Sequence, residues 1–217
     1  MNWLHRLAAH TTAGLIALFA RLLTAVRGIW QGTEPREVQR IYFANHASHG
    51  DSVLIWTVLP PRIRSNTRPV AGSDYWERGK LRKFIGRSVF NSVLVARGSN
   101  TKGDPLAPVR QALDEGSSLI FFPEGTRNTT DETLLPFKSG LFHLSRSRPS
   151  VELVPVWIEN LNRVMPKGEI VPIPLVCTVS IGIPFKYRPG ANKVEFLQQA
   201  SDALLTLAAS VRGADHG

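Results

Sequence analysis

The sequence predicts an α/β domain with a mostly parallel central sheet covered by helices, preceded by an amphipathic N-terminal helical segment. Three observations carry this expectation. Short runs rich in β-branched and aromatic residues alternate with helix-like stretches, the pattern of parallel strands joined by crossovers. The chain has 217 residues, 43% of them hydrophobic, enough for one domain with a buried core. Two polar strings stand directly after apolar runs, where α/β folds place their ligand loops.

Residues 3–30 read as one or two helices. Leu15, Leu18, Phe19, Leu22, Leu23, Val26 and Ile29 or Trp30 recur at three-four spacing and form an apolar stripe. Arg6, His10 and Arg21 interrupt the run that a membrane-spanning helix needs. The segment therefore reads as a helix lying in a membrane interface, with Trp3 and Trp30 at headgroup depth and arginines toward lipid phosphates. The division expected is residues 1–32 for this segment and 33–217 for the main domain.

Beyond the breaker-rich stretch Gln31–Pro35, the pattern alternates. Strands are expected over 40–44, 68–72, 93–96, 118–122, 151–158 and 176–183. Helices are expected over 52–59, closed by Pro60-Pro61, and over 75–84, 105–115, 138–147 and 194–211. No internal repeat and no low-complexity tract interrupts the series.

Lys plus Arg outnumber Asp plus Glu, giving a net charge of +9, which favours contact with polyanions. Nucleic-acid motifs and interleaved stacking aromatics are absent, so an anionic membrane surface is the expected partner and nucleic acid is not. The single cysteine, Cys177, leaves no intramolecular disulfide, and no ligand spacing supports a metal site.

The chemistry concentrates in the two strings. The first is Asn45-His46-Ala47-Ser48-His49-Gly50-Asp51. A neutral imidazole can take the proton of an attacking hydroxyl, provided its other nitrogen is held by an acceptor. Five residues cannot place His46 and Asp51 on one helical face. They meet if His46 leaves a strand and Asp51 opens the following helix. A plain helix-capping role for Asp51 is the competing explanation. The second string is Phe122-Pro123-Glu124-Gly125-Thr126-Arg127. Gly125 permits close approach of backbone to ligand, Thr126 offers a hydroxyl and Arg127 a planar fork for phosphate. Glu124 positions Arg127 or binds a substrate hydroxyl. Arg97 closes the strand at 93–96, and Lys138 adds charge near a helix start. No Gly-x-Ser-x-Gly string supports a nucleophile-elbow hydrolase.

Taken in order, these strings resemble those of the glycerolipid acyltransferase family, in particular the bacterial 1-acyl-sn-glycerol-3-phosphate (lysophosphatidic acid) acyltransferases. The blocks are Asn45-His46 through Asp51, Val93 through Arg97, Phe122 through Arg127 with Phe137-Lys138-Ser139-Gly140 behind it, and Val154-Pro155-Val156. They cover roughly residues 38–185. The resemblance implies His46 as general base and Asp51 as its partner. It implies acceptor binding by Arg97, Glu124, Gly125, Thr126 and Arg127, with Pro155 supporting the substrate site. It further implies an acyl-CoA or acyl-ACP co-substrate, no cofactor, and attachment to the cytoplasmic face of a membrane. Asn91, Ala96 and Asn128 depart from the family's usual Gly, acidic residue and Ser. Other lysolipid acceptors, such as lysophosphatidylglycerol or a lyso-ornithine lipid, fit the same strings. A non-enzymatic lipid-binding protein on this scaffold and a hydrolase using the same base are the rival expectations.

Overall fold

The structure, a computed structural model, describes residues 3–96, 103–159 and 177–214. Helix α1 (Trp3–Thr24) leads into strand β1 (Arg27–Trp30) and then β2 (Arg40–Ala44). Helices α2 (Asp51–Val58) and α3 (Pro61–Arg64) follow, then β3 (Thr67–Gly72), α4 (Ser73–Trp76), α5 (Lys80–Phe84) and a π-turn at Ile85–Val89. The rest runs β4 (Val93–Val95), α6 (Ala107–Asp114), β5 (Ser118–Phe121), α7 (Gly140–Ser147), β6 (Glu152–Glu159), β7 (Thr178–Ile181) and α8 (Lys193–Ala214).

The strands form one seven-stranded sheet in the order β1-β7-β6-β2-β5-β3-β4. Among the described strands, only the β6–β7 pairing is antiparallel. The expected mostly parallel sheet is thus the sheet observed. Strand β2 sits at its centre and alternates faces, as the two-residue period of a strand requires. Ile41 and Phe43 join the core beneath α6, α7 and α8, with Leu113, Leu144 and Leu204. Tyr42 and Ala44 join the opposite core beneath α1 and α2, with Ala20 and Ile55. Helices therefore cover both faces.

Three elements differ from expectation. The helix read over 3–30 ends at Thr24, and Arg27–Trp30 pair in parallel with β7. The turn between them is made by Ala25 at φ +40°, a left-handed residue without the glycine that normally announces a helix end. The helix read over 75–84 is two short helices, because Gly79 adopts φ +84° between them. Pro61 also opens α3 where a stop was expected, since proline is tolerated in the first turn of a helix.

Helix α1 docks through small residues, with Ala9, Ala17, Ala20 and Thr24 buried. Trp3, Leu4, Leu7, Leu15, Leu18, Phe19 and Leu22 face outward, Leu22 with 76% of its surface exposed. It is long and apolar enough to cross a membrane. Arg21 is exposed and donates to the Thr57 carbonyl, which ties α1 to α2.

Candidate active site

Strands β2, β5, β3 and β4 run parallel, so their C-terminal ends share one edge of the sheet. The two polar strings leave that edge from the adjacent strands β2 and β5. Asn45 secures the first string: its amide donates to the Ile158 carbonyl and accepts from the Ile158 N–H, at 3.0 and 2.8 Å. An asparagine side chain thereby extends the sheet pairing past the end of β2, and the chain enters the loop with its backbone held.

His46 comes next and Asp51 is the first residue of α2. The Asp51 side chain is 1% exposed. Its Oδ2 accepts from His46 Nδ1 at 2.8 Å and from the backbone N–H groups of Ala47 and Ser48 at 2.7 and 2.9 Å. Gly50, not Asp51, is the N-cap residue of α2, and no side chain caps that end. The carboxylate thus folds the loop back on itself. An acceptor shared with two N–H groups requires Nδ1 to carry the imidazole proton. Nε2 is left with its lone pair, on a ring that borders a cavity. The imidazole also stacks on Phe122, ring centroids 4.2 Å apart and planes 20° from parallel.

Glu124 is 2% exposed and lies behind the cavity rather than in it. Its Oε1 accepts from the His46 N–H at 2.7 Å and its Oε2 from the Leu135 N–H at 2.9 Å. This corrects the expectation that Glu124 binds substrate or steers Arg127: both oxygens are committed to backbone. Burial pushes its carboxyl above the ordinary range, while the two N–H donors pull the other way. The His46 carbonyl in turn accepts from the Asn128 N–H. The peptide groups flanking His46 are therefore held by the loop that follows β5.

Gly125 stands at φ +69°, and a Cβ there would lie 2.8 Å from Lys138 Cδ. The Lys138 side chain consequently lies across this glycine. Gly125, Thr126, Arg127 and Lys138 all line the cavity together with His46. His49 lines it as well; burial and then the Arg127 charge lower its pKa. The cavity encloses about 1080 Å³ and has apolar walls from Val70, Trp76, Val95, Leu106 and Phe122. Such a space suits a molecule with an anionic head and a hydrocarbon body.

Arg97 lies outside the described residues. The Val154-Pro155-Val156 block is buried in β6, beside the central strand β2, and does not line the cavity. It bears on the site by pairing with Tyr42, Phe43 and Ala44 of β2, the strand that leads into Asn45 and His46. Asn45 and His49 stood inside the first string without an assigned role; the polar residue that directly follows a strand was the available signal. Asn91 has φ +47°, a conformation glycine and asparagine both tolerate, which explains its substitution for the Gly that the resemblance leads one to expect. Among the described residues, no cluster of His, Cys, Asp and Glu has the makings of a metal site.

A family model described as Acyltransferase matches residues 30–159. The 1-acyl-sn-glycerol-3-phosphate acyltransferase of Haemophilus influenzae is 31% identical over 132 residues, 57% of this chain and 49% of the relative. A protein named Taffazin from Dictyostelium discoideum is 32% identical over 162 residues, 70% of this chain and 54% of the relative. The chain spans about half the length of the curated relatives it matches. The crystal structure of the 1-acyl-sn-glycerophosphate (LPA) acyltransferase PlsC from Thermotoga maritima has a similar fold, with a TM-score of 0.70 at 21% identity, over 93% of this chain and 80% of that one.

Proposed function

The chain belongs to the acyltransferase family, and on that footing we propose that it moves a fatty acyl group from acyl-CoA or acyl-ACP to the free hydroxyl of lysophosphatidic acid, forming phosphatidic acid. The observation that carries the reading is the His46–Asp51 pair at 2.8 Å, with Nε2 free beside a cavity lined by Arg127, Lys138 and apolar side chains.

In this mechanism Nε2 takes the acceptor's hydroxyl proton as its oxygen attacks the thioester carbonyl. The new C–O ester bond forms, the C–S bond breaks, and the imidazolium returns the proton to the departing thiolate. Asp51 stabilises the imidazolium and fixes its tautomer. Arg127 and Lys138 hold the acceptor phosphate, which converts the encounter into an oriented reaction. The apolar walls take hydrocarbon. The outward apolar face of α1, on a chain of net charge +9, supports attachment to an anionic bilayer, where lysolipid and product both reside.

The test is to incubate the protein in mixed micelles with lysophosphatidic acid and a long-chain acyl-CoA, following free thiol and phosphatidic acid by mass spectrometry. Product that vanishes in His46→Ala supports the reading. Undiminished product in that variant rules out this base, and product only with another lysolipid reassigns the acceptor.

A further inference from the structure

The cavity has a second basic wall, away from the base. Helix α7 turns Leu141, Phe142 and Leu144 into the core and presents His143, Arg146 and Ser147 to the cavity. Those positions follow helical spacing from Ser139 and Gly140, which also line it, so they form one continuous polar face. Arg110 of α6 lines the same end but is paired with Asp104. Arg146 forms no ion pair among the described residues, so its charge is available to a ligand. Val95, Leu106 and Phe121 supply apolar wall to the same cavity.

Both substrates of the proposed reaction are anionic, and their reacting atoms must meet at His46. One phosphate fills the Arg127 and Lys138 end; the other needs its own counter-charge. Gly140 and Arg146 are six residues apart on α7, which carries the wall ~9 Å along the cavity. The 4′-phosphopantetheine arm of an acyl donor has about 13 bonds between sulfur and phosphorus. That equals roughly four peptide residues, with a reach of ~14 Å. The arm is longer than the stretch of wall from Gly140 to Arg146, so a phosphate held at Arg146 leaves the thioester beyond Gly140, in the cavity that His46 also lines.

Resting on the acyl-transfer reading, we propose that His143, Arg146 and Ser147 form the site for the donor's 4′-phosphopantetheine phosphate, the group that coenzyme A and acyl carrier protein share. Donor and acceptor phosphates then occupy opposite ends of one cavity.

Calorimetric binding of 4′-phosphopantetheine and of pantetheine to the full chain tests this without turnover. Wild type binds the phosphorylated arm about tenfold more tightly, Arg146→Ala removes that preference, and Arg146→Lys keeps part of it. In kinetics, Arg146→Ala raises the KM for acyl-CoA roughly tenfold and leaves the KM for lysophosphatidic acid unmoved. Absence of a phosphate preference in wild type overturns the proposal, as does its persistence in Arg146→Ala or its loss in Arg127→Ala instead. If no lysolipid is acylated while the preference depends on Arg146, the arm site stands and the acceptor assignment falls.

Discussion

Replacing Glu124 by glutamine separates a positioning role from a substrate contact. The carboxylate accepts two backbone N–H groups, from His46 at 2.7 Å and from Leu135 at 2.9 Å, in a place 2% exposed. A glutamine amide offers one oxygen. Whichever way it turns, its NH₂ meets one of those N–H groups as donor against donor. One charge-assisted bond is lost, about 2 kcal/mol, and a backbone donor is left buried, about 1–2 kcal/mol more. Burial already disfavours the ionised carboxyl, so the neutral amide recovers part of that loss. The net is about 2 kcal/mol, or a fall in Tm of about 4–8 °C for a chain of this size. Displacing His46 also lowers kcat, by ~10²-fold for a shift near 1 Å, with the acceptor KM little changed. The pH dependence has a definite sign. A raised folded-state pKa means the folded chain binds more protons, so wild-type stability falls as pH rises from about 4.5 through that value. Glu124→Gln lacks this slope. Thermal melts between pH 4.5 and 8, with steady-state kinetics at each end, make the measurement. A variant with wild-type Tm and kcat but a raised acceptor KM would refute the backbone-positioning role.

Three further outcomes are expected. Asp51→Asn keeps the shape of the loop but no longer imposes the tautomer on His46, and should lower kcat by ~10²–10⁴-fold with modest change in KM, read in the phosphatidic acid assay. Ala25→Gly relieves the left-handed backbone at φ +40° and should stabilise the fold by about 1 kcal/mol in urea unfolding; destabilisation would mean the Ala25 side chain contributes more than its strain. His49 has a lowered pKa in the folded chain, so below its ordinary value of 6.5 the unfolded state protonates first and stability falls with the pH. His49→Gln should therefore flatten the difference between urea midpoints at pH 5 and pH 7.5, and an unchanged difference would exclude His49 as a contributor.

Much of this architecture was legible because its signals are local. The Arg40–Ala44 strand is legible to the residue, since a short continuous apolar run with β-branched and aromatic side chains announces itself without tertiary information. His46 and Asp51 were legible because a strand, a turn and a helix start bring them together within six residues. Strand β1 was not, because Arg27–Trp30 continue the apolar stripe of α1 and the break depends on Ala25 alone. Glu124 was misjudged for the complementary reason: its partners lie 78 residues upstream and 11 downstream, beyond any local pattern. The polar face of α7 carries no local signal of a site, because only the fold places a cavity beside it.

The backbone clasp between His46 and the loop after β5 also bears on how the protein matures. The donor to Glu124 and the acceptor of Asn128 are the N–H and carbonyl of one residue, joined to a loop that emerges from synthesis much later. Neither string can hold its catalytic shape until β5 has paired with β2, a contact of long sequence separation that forms slowly compared with local helices. His46 and the loop after β5 therefore take their final shape together. A chain that lacks β5 keeps Asp51 beside His46 but loses the Glu124 and Asn128 bonds that hold the His46 peptide groups, so the histidine's backbone is left unbraced.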